Sequence, residues 1–235
     1  LIASHPKMVR EAIERHRHAL DANPVLYLEP HNRRLQNAAR DAAGRYFGME
    51  ADHVALTDST TMGVALVYNG LRLTPGQEIL TSHQDYYVTH ESLRLAAERT
   101  GAKVRRFPLY DQLEGVTKPQ LVDRVMSQVG PRTRVLALTW VLSSTGLKVP
   151  IPEIGQALKA VNAERPEDER VLLCVDGVHG FGNQTATMAD LGCDFFVAGC
   201  HKWIFGPRGT GVIYGSDAGW KAAAPTIPTF LDSHA

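Results

Sequence analysis

Short apolar runs alternate with longer stretches of helical periodicity through most of this chain. The runs His53–Thr57, Glu78–Thr81, Lys103–Phe107, Arg134–Thr139, Val171–Val175, Phe195–Ala198 and Gly211–Tyr214 have strand length and strand composition. Between them, Thr61–Gly70, Thr89–Thr100, Lys118–Val129 and Pro152–Asn162 have helical spacing. Ahead of the first run, residues 6–20 and 33–47 carry the stripes Val9, Ile13, His16 and Leu35, Ala39, Ala42, Tyr46, with Asn23-Pro24 and Glu29-Pro30 as breaks between them. Strands alternating with helices predict an α/β fold: a mostly parallel seven-stranded sheet with helices on both faces, a three-layer sandwich. The glycine-rich Gly206–Gly211 turn leaves too little chain for a crossover helix, so the last two strands are expected to run antiparallel.

Composition narrows the class without changing this picture. The 235 residues are 44% hydrophobic and 21% charged, ordinary for a globular chain of one large or two small domains. Lys+Arg 25 balances Asp+Glu 25, so no net field favours nucleic acid or an anionic membrane, and no apolar run approaches the roughly 18 residues of a membrane span. Ten histidines are scattered outside any HExxH or Cys/His spacing, and no metal is expected. Cys174, Cys193 and Cys200 lie within or beside apolar runs and read as reduced core thiols. A cytoplasmic protein is the expectation, with an exported form processed at its N-terminus as the alternative. Residues 1–50 read as a helical segment and 51–225 as the main domain. Residues 226–235 read as the start of a linker to a C-terminal domain outside this chain.

Candidate chemistry gathers at the ends of the apolar runs. Asp176-Gly177-Val178-His179 closes one, and His201-Lys202-Trp203 follows the next, ahead of Gly206-Pro207-Arg208-Gly209. A carboxylate and a lysine delivered by successive strands suit pyridoxal 5'-phosphate (PLP): the lysine forms a Schiff base, and the aspartate keeps the ring nitrogen protonated. A surface lysine and an Asp-Gly turn aspartate capping its own backbone are the plainer readings. His179, three residues on, is close enough to reach the ring's phenolic oxygen, with a solvent-exposed histidine as the alternative. Thr57–Gly63 joins a strand to a helix and offers hydroxyls and free N–H groups to an anion, or simple N-capping by Ser59 or Thr60. In Thr81–Tyr87, Tyr86 or His83 could stack on a planar ligand, and Thr139–Gly146 could present Ser143 or Trp140 at the same edge. His5 could line a substrate entrance; the other N-terminal histidines receive no role.

This order of motifs resembles the class V aminotransferase family over about residues 6–214, most strongly at Asp176–His179 and His201–Trp203. Leu142-Ser143-Ser144-Thr145 and His201-Lys202-Trp203 resemble its isopenicillin N epimerase-like branch more than its cysteine desulfurases. The resemblance implies the large domain of PLP fold type I, a homodimer, and an amino acid or related amine as substrate. It implies Lys202 as the Schiff-base residue, Asp176 at the ring nitrogen and His179 at the phenolic oxygen. Thr60 and Thr61 would lie on the phosphate, Tyr86 (or His83) on the ring, and Ser143 and His201 beside it. Gly199 departs from the serine that desulfurases carry three residues before the lysine, and Ser143 stands where they have asparagine. Aminotransferase, epimerase and C–S lyase chemistry, cysteine desulfurization included, remain open. So do a non-catalytic relative that keeps the PLP fold as a binding or regulatory module and an unrelated nucleotide-binding α/β protein.

Overall fold

The alternation of runs becomes a layered sheet in the computed structural model, which describes residues 2–228. In chain order these are α1 (Lys7–Ala22), α2 (Pro24–Phe47), β1 (Val54–Thr57), α3 (Thr60–Gly70), β2 (Glu78–Ser82), α4 (Tyr87–Thr100), β3 (Lys103–Phe107) and α5 (Lys118–Met126). There follow β4 (Thr133–Thr139), α6 (Ile151–Ala163), β5 (Leu172–Asp176), α7 (Met188–Leu191), β6 (Phe195–Gly199), β7 (Gly211–Gly215) and α8 (Asp217–Ala222). Strand order is β1-β7-β6-β5-β4-β2-β3. Only β7 runs against its neighbours, pairing antiparallel with both β6 and β1. The expected linker falls largely on 229–235, outside the described residues.

Alternation along each strand sends side chains to two separate cores. Leu136, Leu138, Leu173, Val175, Phe196 and Ala198 pack with α5, α6, α7 and the end of α2. Their sequence neighbours Val135, Ala137, Leu172, Cys174, Phe195 and Val197 pack with α3 and α4. All seven residues of β4 are buried, as a central parallel strand requires. The sheet order reverses at β2 and β4: the chain leaves β2 for β3 on one side, then returns past β2 to β4 on the other. Ligand crevices open beyond the carboxyl ends of the strands at such a switch point.

One expected boundary is not observed. Asn23-Pro24 does start a helix: Asn23 Oδ1 accepts from Leu26 N at 3.1 Å, and Pro24 takes the first turn, where no amide donor is needed. Glu29-Pro30 does not break it, because α2 continues through Pro30 to Phe47. The Leu26 carbonyl that Pro30 cannot serve lies on an exposed stretch where water reaches it. Phe47, at the far end of α2, is buried against Phe181 and Phe196 at centroid distances of 5.3 Å.

Candidate active site

Strand β5 is buried throughout and ends in Asp176, itself 5% exposed. Asp176 Oδ1 accepts from Val178 N at 3.1 Å, so the turn-aspartate reading describes part of its role. The chain then coils tightly, with Phe181 N donating to Gly177 O at 2.8 Å. A Cβ on Gly177 would lie 2.0 Å from the Phe196 ring, and one on Gly180 2.0 Å from the Trp140 ring. Only glycine lets this turn sit down on the core, and seating it there throws His179 outward into a cleft.

Lys202 stands not on a strand but in the loop that leaves β6. That loop is pinned at its base by Cys200 N to Thr210 O at 2.9 Å and Gly206 N to Cys200 O at 2.7 Å. Phe205 takes a left-handed φ of 56° inside it, a conformation a bulky residue holds only when its surroundings enforce it. Ala3 N donates to His201 O at 3.1 Å, tying the N-terminal segment to the same loop. The Lys202 Nζ comes to rest 2.9 Å from His179 Nε2, and Trp203 Nε1 donates to His179 Nδ1 at 3.2 Å.

These groups share a cleft of about 620 Å³ lined by Asp176, His179, His201, Lys202, Thr60, Thr61, Tyr86 and Ser143, among others. Burial lifts the Asp176 carboxyl to about 6, opposed by the Val178 amide and the Lys202 charge. Burial also lowers Lys202, with Asp176 pulling the other way, and takes His179 down to about 4 with help from Lys202. His179 is therefore a neutral imidazole near pH 7, and the lysine is biased toward its free amine. His201 is lowered by burial as well.

Opposite the lysine lies the start of α3. Ser59 caps it, accepting from Met62 N at 3.1 Å, and Thr60 and Thr61, whose amides have no partner within the helix, line the cleft. Thr60 Oγ1 accepts from Gly199 N at 2.8 Å, so its own proton remains free to donate to an anion. A Cβ at Gly199 would lie 3.1 Å from the His201 ring and 3.2 Å from Thr60 Oγ1, so a larger residue there needs those two side chains to give way by a few tenths of an ångström.

Of the two stacking candidates, Tyr86 lines the cleft and His83 does not. His83 N pairs with Phe107 O at 2.8 Å, which carries that residue toward the β3 edge and leaves it exposed. Trp140 is 2% exposed, in the core beneath Gly180 rather than at the cleft. His5 is half-buried and is not among the cleft residues.

Asp85 was not singled out from sequence. Its buried carboxylate accepts from Thr81 Oγ1 (2.9 Å), Ser82 N (2.7 Å) and Thr139 N (2.6 Å), bolting the ends of β2 and β4 together at the switch point. The Thr-Ser-x-x-Asp spacing after an apolar run was its one signal, and that spacing also describes an ordinary turn. Beside it, Thr139 Oγ1 is buried without a partner at the cleft wall. Among the described residues no group of three His, Cys, Asp or Glu side chains is set to hold a metal, and no helix is long and apolar enough to cross a membrane.

The Aminotransferase class-V family model matches residues 3–229. An isopenicillin N epimerase of Amycolatopsis lactamdurans is 30% identical over 209 residues, covering 88% of this chain and 50% of the relative. A cysteine desulfurase of Pectobacterium carotovorum is 29% identical over 210 residues, covering 87% and 46%. The cystine C-S lyase C-DES, solved as a mutant with glycine covalently linked to its PLP cofactor, superposes with a TM-score of 0.82 at 27% identity, covering 94% of this chain and 56% of its own. The chain thus spans about half the length of the curated relatives it matches.

Proposed function

Because the chain belongs to the class-V aminotransferase family, we propose that it forms the cofactor-binding half of a PLP-dependent enzyme acting on an amino acid or related amine. What carries this reading is the shared cleft, with a buried, under-bonded carboxyl on one wall and a recessed lysine amine on another. The residues present fit the cofactor. Asp176 has one backbone donor and an unfilled oxygen, and a protonated ring nitrogen is the counter-charge its burial lacks. Thr60, Thr61 and the first amides of α3 would hold the phosphate. His179 would meet the phenolic oxygen, Tyr86 the ring face, and Ser143 and His201 the rim. The cofactor, when bound, supplies an electron sink for charge developing at the substrate Cα.

The chain's own residues would do the rest. Lys202 would tether the cofactor and, once freed by substrate, take or return a proton at Cα, a role suited to an amine whose pKa burial has lowered. Val141, Leu142 and Val178 line the cleft and would keep water from the reacting carbon. Cys174 and Cys193 are fully enclosed, and burial raises their thiols and that of Cys200, so none is poised as a sulfur acceptor. The names of the relatives favour epimerisation and C–S cleavage over other amino-acid reactions.

We further infer a homodimer joined beside this cleft, where Met62, Tyr86, Tyr87, Trp203 and Phe205 leave large apolar surface exposed. A cytoplasmic setting accords with the three reduced thiols. The full-length protein given PLP should absorb in the violet and take a borohydride-stable label at Lys202, and Lys202→Ala should lose both. A wild-type protein with neither absorbance nor label would sink the assignment. Incubation with a panel of amino acids, reading inverted stereochemistry against pyruvate or alanine release, would name the reaction.

A further inference from the structure

The two contacts on the His179 ring constrain each other. An indole N–H can only donate, so Trp203 Nε1 at 3.2 Å requires a lone pair on His179 Nδ1. A neutral imidazole with a lone pair on Nδ1 carries its proton on Nε2. Nε2 lies 2.9 Å from Lys202 Nζ, so the partner there must accept, and an amine accepts only when uncharged. The reverse tautomer would set two N–H groups against each other at Trp203. A protonated ring would do the same, and burial already disfavours it.

We propose that Trp203 is a positioning residue that locks His179 in the Nε2–H tautomer, making it an obligate donor into the cleft. In the cofactor-free site that donor meets the Lys202 lone pair and favours the nucleophilic amine over ammonium. This rests on the PLP reading for its purpose, since the phenolic oxygen of that cofactor is an acceptor and needs such a donor. The lock itself is a property of these three side chains. The other titratable and charged groups facing them include Asp176 at the end of β5, His201 in the lysine loop with Arg208 acting on it, and Asp85 acting through Asp176. None of these reaches His179 Nδ1 with a hydrogen bond, which leaves Trp203 to set the tautomer.

The test measures the pH midpoint for borohydride-trapped capture of PLP by Lys202 in the full-length protein. Trp203→Phe keeps an aromatic ring and removes the donor. His179 is then free to accept from a charged lysine, and the midpoint should rise by roughly one pH unit, the size of one net hydrogen bond. His179→Leu removes both ring nitrogens and with them the group the lock acts on, so adding Trp203→Phe to it should shift the midpoint no further. An equal shift in both backgrounds, or none in either, overturns the proposal. Nitrogen-15 spectra of the cofactor-free wild type decide the matter independently, even if no PLP is captured: Nε2–H at His179 supports the lock, and Nδ1–H refutes it.

Discussion

The two ends of the same central strands treat buried polar groups in opposite ways. At the amino ends of β4–β6, Arg165 gives hydrogen bonds to Thr133 O (2.8 Å) and Gly130 O (2.7 Å), and Asn162 exchanges two bonds with Val171. Asp194 there accepts from Leu173 N and Ser216 Oγ, both at 2.9 Å. At the carboxyl ends, Asp176 has a single backbone donor and Thr139 Oγ1 has no partner. Both ends enclose hollows of similar size, about 730 Å³ and 620 Å³, so volume does not tell them apart. Hydrogen-bond satisfaction separates the two aspartates, Asp194 with two donors and Asp176 with one, although Trp220 Nε1 beside Phe195 also lacks a partner. Asp194, satisfied by the Leu173 amide and the Ser216 hydroxyl, holds the sheet together, whereas the unfilled Asp176 oxygen is the one that the proposed cofactor would satisfy.

The sharpest way to test that contrast is to cut one residue from each end. Removing the Lys202 amine should depress turnover by on the order of 10²–10⁴-fold or more while leaving thermal stability close to wild type, as read by initial rates and a melting curve. Asp194→Ala should do the reverse. It strands the Leu173 amide in the core and costs about 1–3 kcal/mol in denaturant unfolding, with the violet absorbance retained in the folded fraction.

Asp176 makes a finer distinction, because its penalty depends on pH. Burial raises its pKa from 3.8 to about 6, so between those values the folded chain holds a proton that the unfolded chain has lost. Stability therefore falls as pH rises through that window and stays lower above it. Asp176→Asn should stabilise the cofactor-free protein by up to about 3 kcal/mol near pH 8, with no gain near pH 4, while abolishing productive PLP chemistry. Melting temperatures at the two pH values decide it. If the mutant is less stable at both, the carboxylate is structural and the contrast between the two ends fails.

Asp85 lies on the border between the two roles. Asp85→Ala removes three hydrogen bonds, should cost roughly 2–4 kcal/mol, and should also blunt PLP capture by letting β2 and β4 part at the crevice. The smallest expected effect is at the stacking position. Tyr86→Ala should weaken PLP affinity severalfold, by the roughly 1 kcal/mol of an aromatic contact, and His83→Ala should leave it unchanged in a spectrophotometric titration.

Much of this was legible along the chain because it is local. Each apolar run has the length and composition of a strand, and the Gly206–Gly211 turn admits only a reversal of direction, which β7 makes. Asp176 and Lys202 stood out because chemistry-bearing residues followed apolar runs. Pro30 misled because a proline's cost depends on whether its orphaned carbonyl can reach water, and a pattern of residue types does not record exposure. Asp85 was missed because its importance lies in Thr139, far away in sequence and next to it only after β2 and β4 have paired.

Residue order alone pointed to the seven strands, most of the helices between them and the layered class, and it singled out Lys202 and Asp176 as candidates, since these follow from periodicity and side-chain chemistry within a few neighbours. Folding decided that Tyr86 rather than His83 faces the cleft, that Gly177 and Gly180 leave no room for a side chain, and that Trp203, His179 and Lys202 form one hydrogen-bonded line. Those facts depend on the direction a side chain takes after long-range strand pairing and tight packing have fixed the backbone, and no local pattern encodes that direction.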